Sequence, residues 1–394
     1  MNWHDPFGVA SRLIGPLSQL IWFYLLAFRG EFWRTGPIDD APGAKLPRWP
    51  SVVAVVPARD EADVILRSIG SLLAQDYPGS FRIILVDDNS TDGTDEIARN
   101  LVPCPERGEG LPQTSEGERR LTVIPGTPLP HGWTGKLWAL AQGIEAAGTP
   151  EYLWLTDADI AHTPDTLRAL VSRAENERLV LVSRMARLVT RTFAERALVP
   201  AFVWFFRMLY PFQWVNRPAN RTAAAAGGCV LLDSRAFAAA GGITAIRSRI
   251  IDDCALGRLM KRYGPIRLSL THNSVALRGY GGFERVSAMI ARSAFAQLGY
   301  SPLLLVGVLL AMVLVFLGPV ITIVAHTDYN FGPWLMMTLL FVPILRFYRQ
   351  SQLWAFALPL IALFYAVATL ASAIQHWRGR GGMWKGRAQA MRPA

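Results

Sequence analysis

The sequence predicts an α/β fold, a mostly parallel sheet with helices on both faces, flanked by membrane helices near each end. Three observations carry this expectation. From about Trp49 to Arg285, short apolar runs alternate with amphipathic ones, the strand, helix, strand rhythm of a parallel sheet. Long apolar segments lie on either side of that stretch, near the roughly 20 residues that cross a bilayer. Three carboxylate pairs, Asp87 with Asp88, Asp157 with Asp159 and Asp252 with Asp253, sit just beyond or beside apolar stretches.

The elements follow in order. Ser51 to Val56 is a β-branched run stopped by Pro57, and Glu61 to Gln75 has helical periodicity with Ile65, Ile69, Leu72 and Leu73 on one side. Next come a strand over Arg82 to Val86, a helix from about Asp92, a strand over Leu121 to Ile124, a helix over Thr134 to Ala147 and a strand over Tyr152 to Leu155. Ligands in such sheets bind beyond the carboxyl ends of the strands. Arg59 with Asp60, Asp87 with Asp88, and Asp157 with Asp159 all fall there. Paired acids repel unless a cation sits between them, so the pairs point to a metal and a phosphorylated ligand. Pro103 to Arg120, rich in Gly, Glu and Pro, reads as a surface loop.

Composition narrows the setting. The chain has 394 residues, of which 51% are hydrophobic, and its mean hydropathy of +0.24 is high for a soluble protein. Membrane attachment is expected. Leu13 to Phe28 reads as an uncleaved anchor or interfacial helix, and Pro302 to Val324 and Leu353 to Ile374 are long enough to span. Arg378, Arg380, Lys385, Arg387 and Arg392 place the tail in the cytoplasm. The tail favours an even number of spans after the globular part, with Trp334 to Leu345 re-entrant or interfacial, while Arg346 and Arg349 would suit a third span there equally well. The expected domains are a membrane anchor over 1–45, a catalytic domain over 46–285, an interfacial helix over 286–300 and a transmembrane region with basic tail over 301–394. Lys and Arg exceed Asp and Glu, 40 to 30, giving a net charge of +10. The basic residues lack the aromatic interleaving of a nucleic-acid surface, so no nucleic-acid partner is expected. Cys104, Cys229 and Cys254 have no C-x-x-C spacing and read as reduced structural thiols.

Two nucleotide signatures are excluded. The first strand ends Pro57-Ala58-Arg59-Asp60-Glu61 rather than in G-x-G-x-x-G. Gly135-Lys136 lacks the leading glycine and the following Ser or Thr of a P-loop; Lys136 at a helix start suits phosphate, or else is a solvent-exposed helix lysine.

In order along the chain, Val55-Val56-Pro57-Ala58-Arg59-Asp60-Glu61, then Val86-Asp87-Asp88-Asn89-Ser90-Thr91-Asp92-Gly93-Thr94, then Asp157-Ala158-Asp159, then Asp252-Asp253 resemble family 2 glycosyltransferases of the GT-A fold. With Gly132 to Leu140 and Ala223 to Cys229 added, the chain is similar to the bacterial hopanoid-associated members. The resemblance implies a GT-A nucleotide-sugar-binding fold and a multi-pass protein of the bacterial inner (cytoplasmic) membrane, its catalytic domain facing the cytoplasm. It places Pro57, Arg59, Asp60, Glu61, Asp87 and Asp88 about the donor, with Asp60, Asp87 and Asp88 on base and ribose. Asp157 and Asp159 would hold Mg2+ or Mn2+ bridging the diphosphate, and Asp253 would be the general base, inverting the sugar. Capping of the helix that carries Leu256, Leu259 and Met260 is the structural alternative for Asp252 and Asp253. Ser90, Thr91 and Asp92 read as turn and cap chemistry.

Arg292 is a candidate for the donor diphosphate, or with Arg285 part of a basic interfacial helix. Arg292 and Gln297 lie there without the Arg-Trp of Q-x-x-R-W, which favours single-sugar addition. Ala197 to Phe206, bracketed by Arg196 and Arg207, should be buried or lie along the membrane, a place for a lipid acceptor to enter. Phe202, Trp204, Phe205 and Phe206 read first as core, and Trp133 as a stacking surface or loop packing. His131, His162 and His272 show no ligand spacing. The expected activity is transfer of a single sugar from a nucleotide sugar, a UDP-sugar first, to a lipid, a hopanoid among the candidates. The alternatives are a membrane nucleotidyl- or phosphotransferase, and a non-catalytic lipid-binding scaffold.

Overall fold

A computed structural model describes residues 6–36, 38–101, 120–324, 331–381, 383–384 and 387–388. Most of the expected loop over Pro103 to Arg120, with Cys104, lies outside the described residues, as do Lys385 and Arg392 of the tail. Helix α1 (Pro6–Ala27) leads to β1 (Val52–Ala58), α2 (Ile65–Leu73), β2 (Phe81–Asp87), α3 (Thr94–Arg99), β3 (Leu121–Pro125), α4 (Gly135–Ala147) and β4 (Tyr152–Leu155). The second half of the sheet region comprises β5 (Ile160–His162), α5 (Thr166–Glu177), β6 (Leu181–Arg187), α6 (Phe193–Leu209), α7 (Phe212–Val215), β7 (Val230–Asp233), α8 (Ser234–Ala239), α9 (Asp252–Met260) and β8 (Ile266–Ala276). Five helices follow, α10 (Phe283–Gln297), α11 (Pro302–Met312), α12 (Gly318–Val324), α13 (Gly332–Phe347) and α14 (Leu358–Trp377), and then a separate antiparallel pair of two-residue strands, Met383–Trp384 with Arg387–Ala388.

The strands form one 8-stranded sheet in the order β3-β2-β1-β4-β7-β6-β8-β5. β3, β2, β1 and β4 run parallel, β7 is antiparallel to both its neighbours, β6 and β8 are parallel, and β5 opposes β8. The sheet is therefore mixed but mostly parallel. β1 is buried along its whole length because both faces are covered, which is why its sequence is nearly all apolar. Val53 and Val55 pack toward α4 and the apolar helices, while Val52, Ala54 and Val56 join the core beneath α2 and α5. A Cβ on Gly143 would meet Val55 Cγ1 at 2.4 Å, so the glycine is what lets α4 lie this close to β1.

β1 runs through Pro57 rather than stopping before it. β4 pairs with β1 only as far as Val55, and Thr156 donates to the Val55 carbonyl, so Pro57, two residues on, faces a side where no strand needs its missing N–H. α2 starts at Ile65, leaving Glu61 in a turn where its N–H donates to Thr94 Oγ1 at 2.8 Å.

Two stretches, Pro302–Ile321 and Gln352–Trp377, are long and apolar enough to cross a membrane by length and composition. Ile14–Ala27 and Gly332–Phe347 are apolar but shorter. α1 turns Ser18 and Trp22 inward and leaves Leu17, Leu20, Phe23 and Tyr24 exposed. A π-helical turn over Val313–Leu317 separates α11 from α12, and the Val315 carbonyl accepts from Trp22 Nε1 at 2.9 Å. Such a turn frees backbone groups that need partners.

Helix α6 is the post between the sheet and these helices. Thr192 and Glu195 form a capping box at its start, and Trp204, fully buried, donates from Nε1 to the Leu340 carbonyl at 3.0 Å. Arg207 Nε donates to the Phe32 carbonyl at 2.9 Å and Arg29 Nε to the Met208 carbonyl at 3.0 Å, a reciprocal brace from the segment after α1. Cations near a helix C-terminus are favoured by its dipole.

Candidate active site

Asp157 and Asp159 stand on the turn between β4 and β5. A buried polar chain fixes that turn from below. Thr156 Oγ1 donates to the Gly228 carbonyl at 2.9 Å, so it accepts from His162 Nε2, also at 2.9 Å, and His162 Nδ1 accepts from the Ser274 hydroxyl at 2.9 Å. This arrangement requires a neutral ring. Burial, and then the Arg184 guanidinium, push the His162 pKa down to about 3. His162→Phe takes the acceptor from the buried Ser274 hydroxyl and leaves Thr156 Oγ1 with only its bond to the Gly228 carbonyl; an unfolding titration is expected to show a loss of about 1–3 kcal/mol. In the unmutated protein the neutral ring contributes stability above pH 6.5 that is lost progressively as the pH falls toward 3.

Lys136, in the first turn of α4, reaches into the acids. Its Nζ lies 2.8 Å from Asp157 Oδ1 and 3.1 Å from Asp252 Oδ2. Burial works against the charged ammonium, but Asp157 and Asp252 more than offset it and raise the lysine's pKa. A Cβ added to Gly227 would lie 3.2 Å from Lys136 Nζ, 3.7 Å from Asp253 Cβ and 3.9 Å from Asp157 Oδ2. The glycine thus marks the point where the β4 turn, α4 and α9 meet.

Asp252 and Asp253 open α9, yet neither caps it: the N-cap position is Ile251, with no side-chain cap bond. Asp253 Oδ2 instead accepts from the Gly227 N–H at 3.3 Å and Oδ1 from the Cys254 N–H at 2.7 Å. Burial, then the Asp252 charge, raise its pKa to about 6, with Lys136 and the two N–H groups opposing. A carboxylate in that range is a stronger base than an ordinary aspartate and still ionised at neutral pH.

The ends of β1 and β2 are stitched side by side. Arg59 pairs with Asp88 at 3.7 Å and donates to its carbonyl at 2.5 Å. Asp60, held at a φ of +50°, accepts from the Thr91 N–H at 2.9 Å, and its own N–H donates to Ser90 Oγ at 3.0 Å. Asp92 accepts from the N–H groups of Ala62 and Thr94 at 2.9 and 3.1 Å. Ser90, Thr91 and Asp92 therefore build the turns, as their residue types suggest. Asp87 is buried; Oδ2 accepts from the Ser90 N–H at 3.1 Å, while Oδ1 has no hydrogen-bond partner among the described residues. A buried carboxylate oxygen left so is costly unless a ligand serves it.

One cleft of 590 Å³ gathers Pro57, Glu61, Lys136, Asp157, Asp159, Asp252 and Asp253 at one end. Phe202, Val203 and Phe206 of α6, with Ala288 and Met289 of α10, form an apolar wall in the same cleft. Arg285 and Arg292, also lining it, come from the same face of α10, seven residues apart. Arg59, Asp60, Asp87 and Asp88 line the neighbouring strand ends rather than this cleft. Of the four aromatic residues expected in the core, Trp204 is there, and Phe202 and Phe206 face the cleft. Trp133 packs edge-on against Trp138, centroids 5.2 Å apart. His272 pairs with Asp40 at 2.8 Å and does not line the cleft. Cys229 and Cys254 are free, buried thiols.

Sequence reading passed over Arg249, Arg278 and Glu195. Arg249 and Arg278 line the cleft, and Arg278 pairs with Glu61 at 2.8 Å and also with Asp63. Glu195 accepts from the Gly281 N–H at 2.8 Å and so ties α6 to the turn entering α10. Its signal was the spacing of Thr192-Phe193-Ala194-Glu195, a capping box; the two arginines carry no local signal.

No group of three or more His, Cys, Asp or Glu able to hold a metal occurs among the described residues. Asp157 and Asp159 nonetheless suit a hard divalent ion that draws its remaining oxygens from water and a diphosphate, the usual habit of Mg2+. Burial, then the Asp157 charge, raise the Asp159 pKa, so a cation at this pair would relieve a repulsion already present.

Strand ends carrying acids, a lysine at a helix start and a cleft beside them make this an α/β protein with an acid-lined cleft beyond the carboxyl ends of its strands. Residues 53–239 match the family model Glycosyl transferase family 2. No curated protein matched the chain in sequence. Among solved structures, a mannosyltransferase from Pyrobaculum calidifontis, in complex with GDP-Man and Mn2+, is 18% identical with a TM-score of 0.57, over 93% of this chain and 99% of that one. S. aureus TarS is 16% identical over 62% of this chain and 40% of its own, TM-score 0.39. Glucosyl-3-phosphoglycerate synthase from Mycobacterium tuberculosis is 18% identical over 61% and 76%, TM-score 0.38. The fold is that of the GT-A glycosyltransferases.

Proposed function

We propose that the protein is a membrane-bound, inverting glycosyltransferase that moves one sugar from a nucleotide sugar, a UDP-sugar in our reading, to a lipid acceptor of the hopanoid type. One observation carries the proposal: the acids and the apolar wall of α6 and α10 belong to a single cleft. A polar donor and an oily acceptor can meet there. Two helices long enough to span, together with Arg378 and Arg380 just after α14, support attachment to a bacterial inner membrane with the catalytic domain in the cytoplasm.

In this reading Asp60, Asp87 and Asp88 hold base and ribose, with Pro57, Arg59 and Glu61 shaping the strand ends around them. Asp157 and Asp159 hold Mg2+ or Mn2+, and the ion when bound offsets charge on the departing diphosphate. Lys136 and Arg292, which line the same cleft, contact the diphosphate. Asp253 takes the proton of the acceptor hydroxyl as that oxygen attacks the anomeric carbon. The bond to the diphosphate breaks with its electron pair leaving on the nucleotide, and configuration inverts. The absence of Arg-Trp after Gln297 favours one addition rather than polymer growth.

Membranes containing the protein, incubated with a panel of labelled nucleotide sugars and then lipid-extracted, test the proposal. A labelled lipid carrying one hexose is expected. A product gaining phosphate would indicate a nucleotidyl- or phosphotransferase, and absence of any binding of UDP with or without Mn2+ would indicate a scaffold.

A further inference from the structure

We propose that Lys136 is a tethered counter-cation that excludes a free divalent ion from the acid cluster until a nucleotide diphosphate arrives, so that metal and donor load together. The inference rests on the glycosyltransferase reading of the same site.

The lysine sits where a metal bound to Asp157 would feel it most. Its Nζ is 2.8 Å from Asp157 Oδ1, within the space a cation on that carboxylate would share, and 3.1 Å from Asp252 Oδ2. A divalent ion bonds carboxylate oxygen at about 2.0–2.6 Å, so ion and ammonium would stand close together in a half-buried place where like charges repel strongly. The ammonium of Lys136 cannot withdraw into an apolar pocket without losing its ion pairs. It needs another anion to move to. α4 offers one place for that anion: its N-cap, Thr134, makes no side-chain cap bond, leaving the first N–H groups of a 13-residue helix to a phosphate beside the lysine. Gly227 is part of the device, because a side chain there would crowd the Nζ at 3.2 Å. A diphosphate that drew the ammonium off Asp157 would free that carboxylate for the ion and supply further oxygen ligands.

The test is Mn2+ binding to the full-length protein in detergent, followed by the free-ion paramagnetic resonance signal, with and without UDP or GDP. The unmutated protein is expected to bind Mn2+ weakly alone and at least about tenfold more tightly with nucleotide. In Lys136→Met, binding of Mn2+ alone is expected to tighten at least about tenfold, and the nucleotide's enhancement to shrink by a similar factor. Lys136→Arg keeps the charge and should restore exclusion. Lys136→Gln, with circular dichroism of each variant, guards against a folding failure of the Met form. If folded Met and Gln variants bind Mn2+ alone no better than the unmutated protein, the inference is wrong. That outcome with nucleotide binding retained leaves the glycosyltransferase reading standing; loss of all nucleotide binding in the unmutated protein removes both.

Discussion

Asp253→Asn is expected to lower sugar transfer by about 10²- to 10⁴-fold, the range a general base contributes, while leaving nucleotide binding nearly unchanged. The amide is close in shape, and its carbonyl oxygen can still accept from the Gly227 or Cys254 N–H that now holds the carboxylate. What disappears is the ability to take a proton. Two further readouts separate this role from a structural one. In the unmutated enzyme kcat should rise with pH through about 6, where Asp253 ionises. Because burial and Asp252 raise that pKa above its unfolded value, the ionised carboxylate costs stability at neutral pH, so favourable folding is fully present at low pH and lost as pH rises through about 6. Asp253→Asn should therefore not lower the melting temperature at pH 7.5 and should flatten this part of its pH dependence. Retained turnover in the variant would refute the assignment.

Asp157→Ala has the second large effect, of a different kind. The side chain is the shared partner of Lys136 and of the divalent ion in our account, so its removal strikes donor binding and transfer together. A loss of about 10²-fold or more in kcat/KM is expected, with Mn2+ no longer strengthening UDP binding in calorimetry. Asp253→Asn keeps the Mn2+ effect and loses turnover; Asp157→Ala loses both. Identical profiles for the two variants would contradict the division of labour between β4 and α9.

The sheet's first half was legible in the sequence for a physical reason: β1, β2 and β4 are buried on both faces and so spell continuous apolar runs, and α2 and α4 show one apolar side. Acids after such runs announced the strand ends, and Asp157, Asp159 and Asp253 do converge. The second half was not. β7 and β5 reverse direction, and β5 has only three residues, too short to carry a period. Pro57 looked like a stop because sequence cannot show that β4 ends opposite Val55. The contact of Lys136 with Asp252, more than a hundred residues apart, and the arrival of Arg249 and Arg278 at the cleft depend on tertiary closure alone. His162 illustrates the opposite case: it shows no ligand spacing in the sequence, and it serves as a buried strut beneath the turn that carries Asp157 and Asp159.

The central claim is that the acids of the β4–β5 turn and of α9 act on one small molecule. A structure with UDP-sugar and Mn2+ bound tests it by one distance, from the Asp253 carboxylate to the anomeric carbon. The account predicts a separation of about 6 Å or less, room for a single acceptor oxygen between them, with the diphosphate between Asp157 and Lys136. A donor seated with its anomeric carbon out of reach of Asp253 would contradict it.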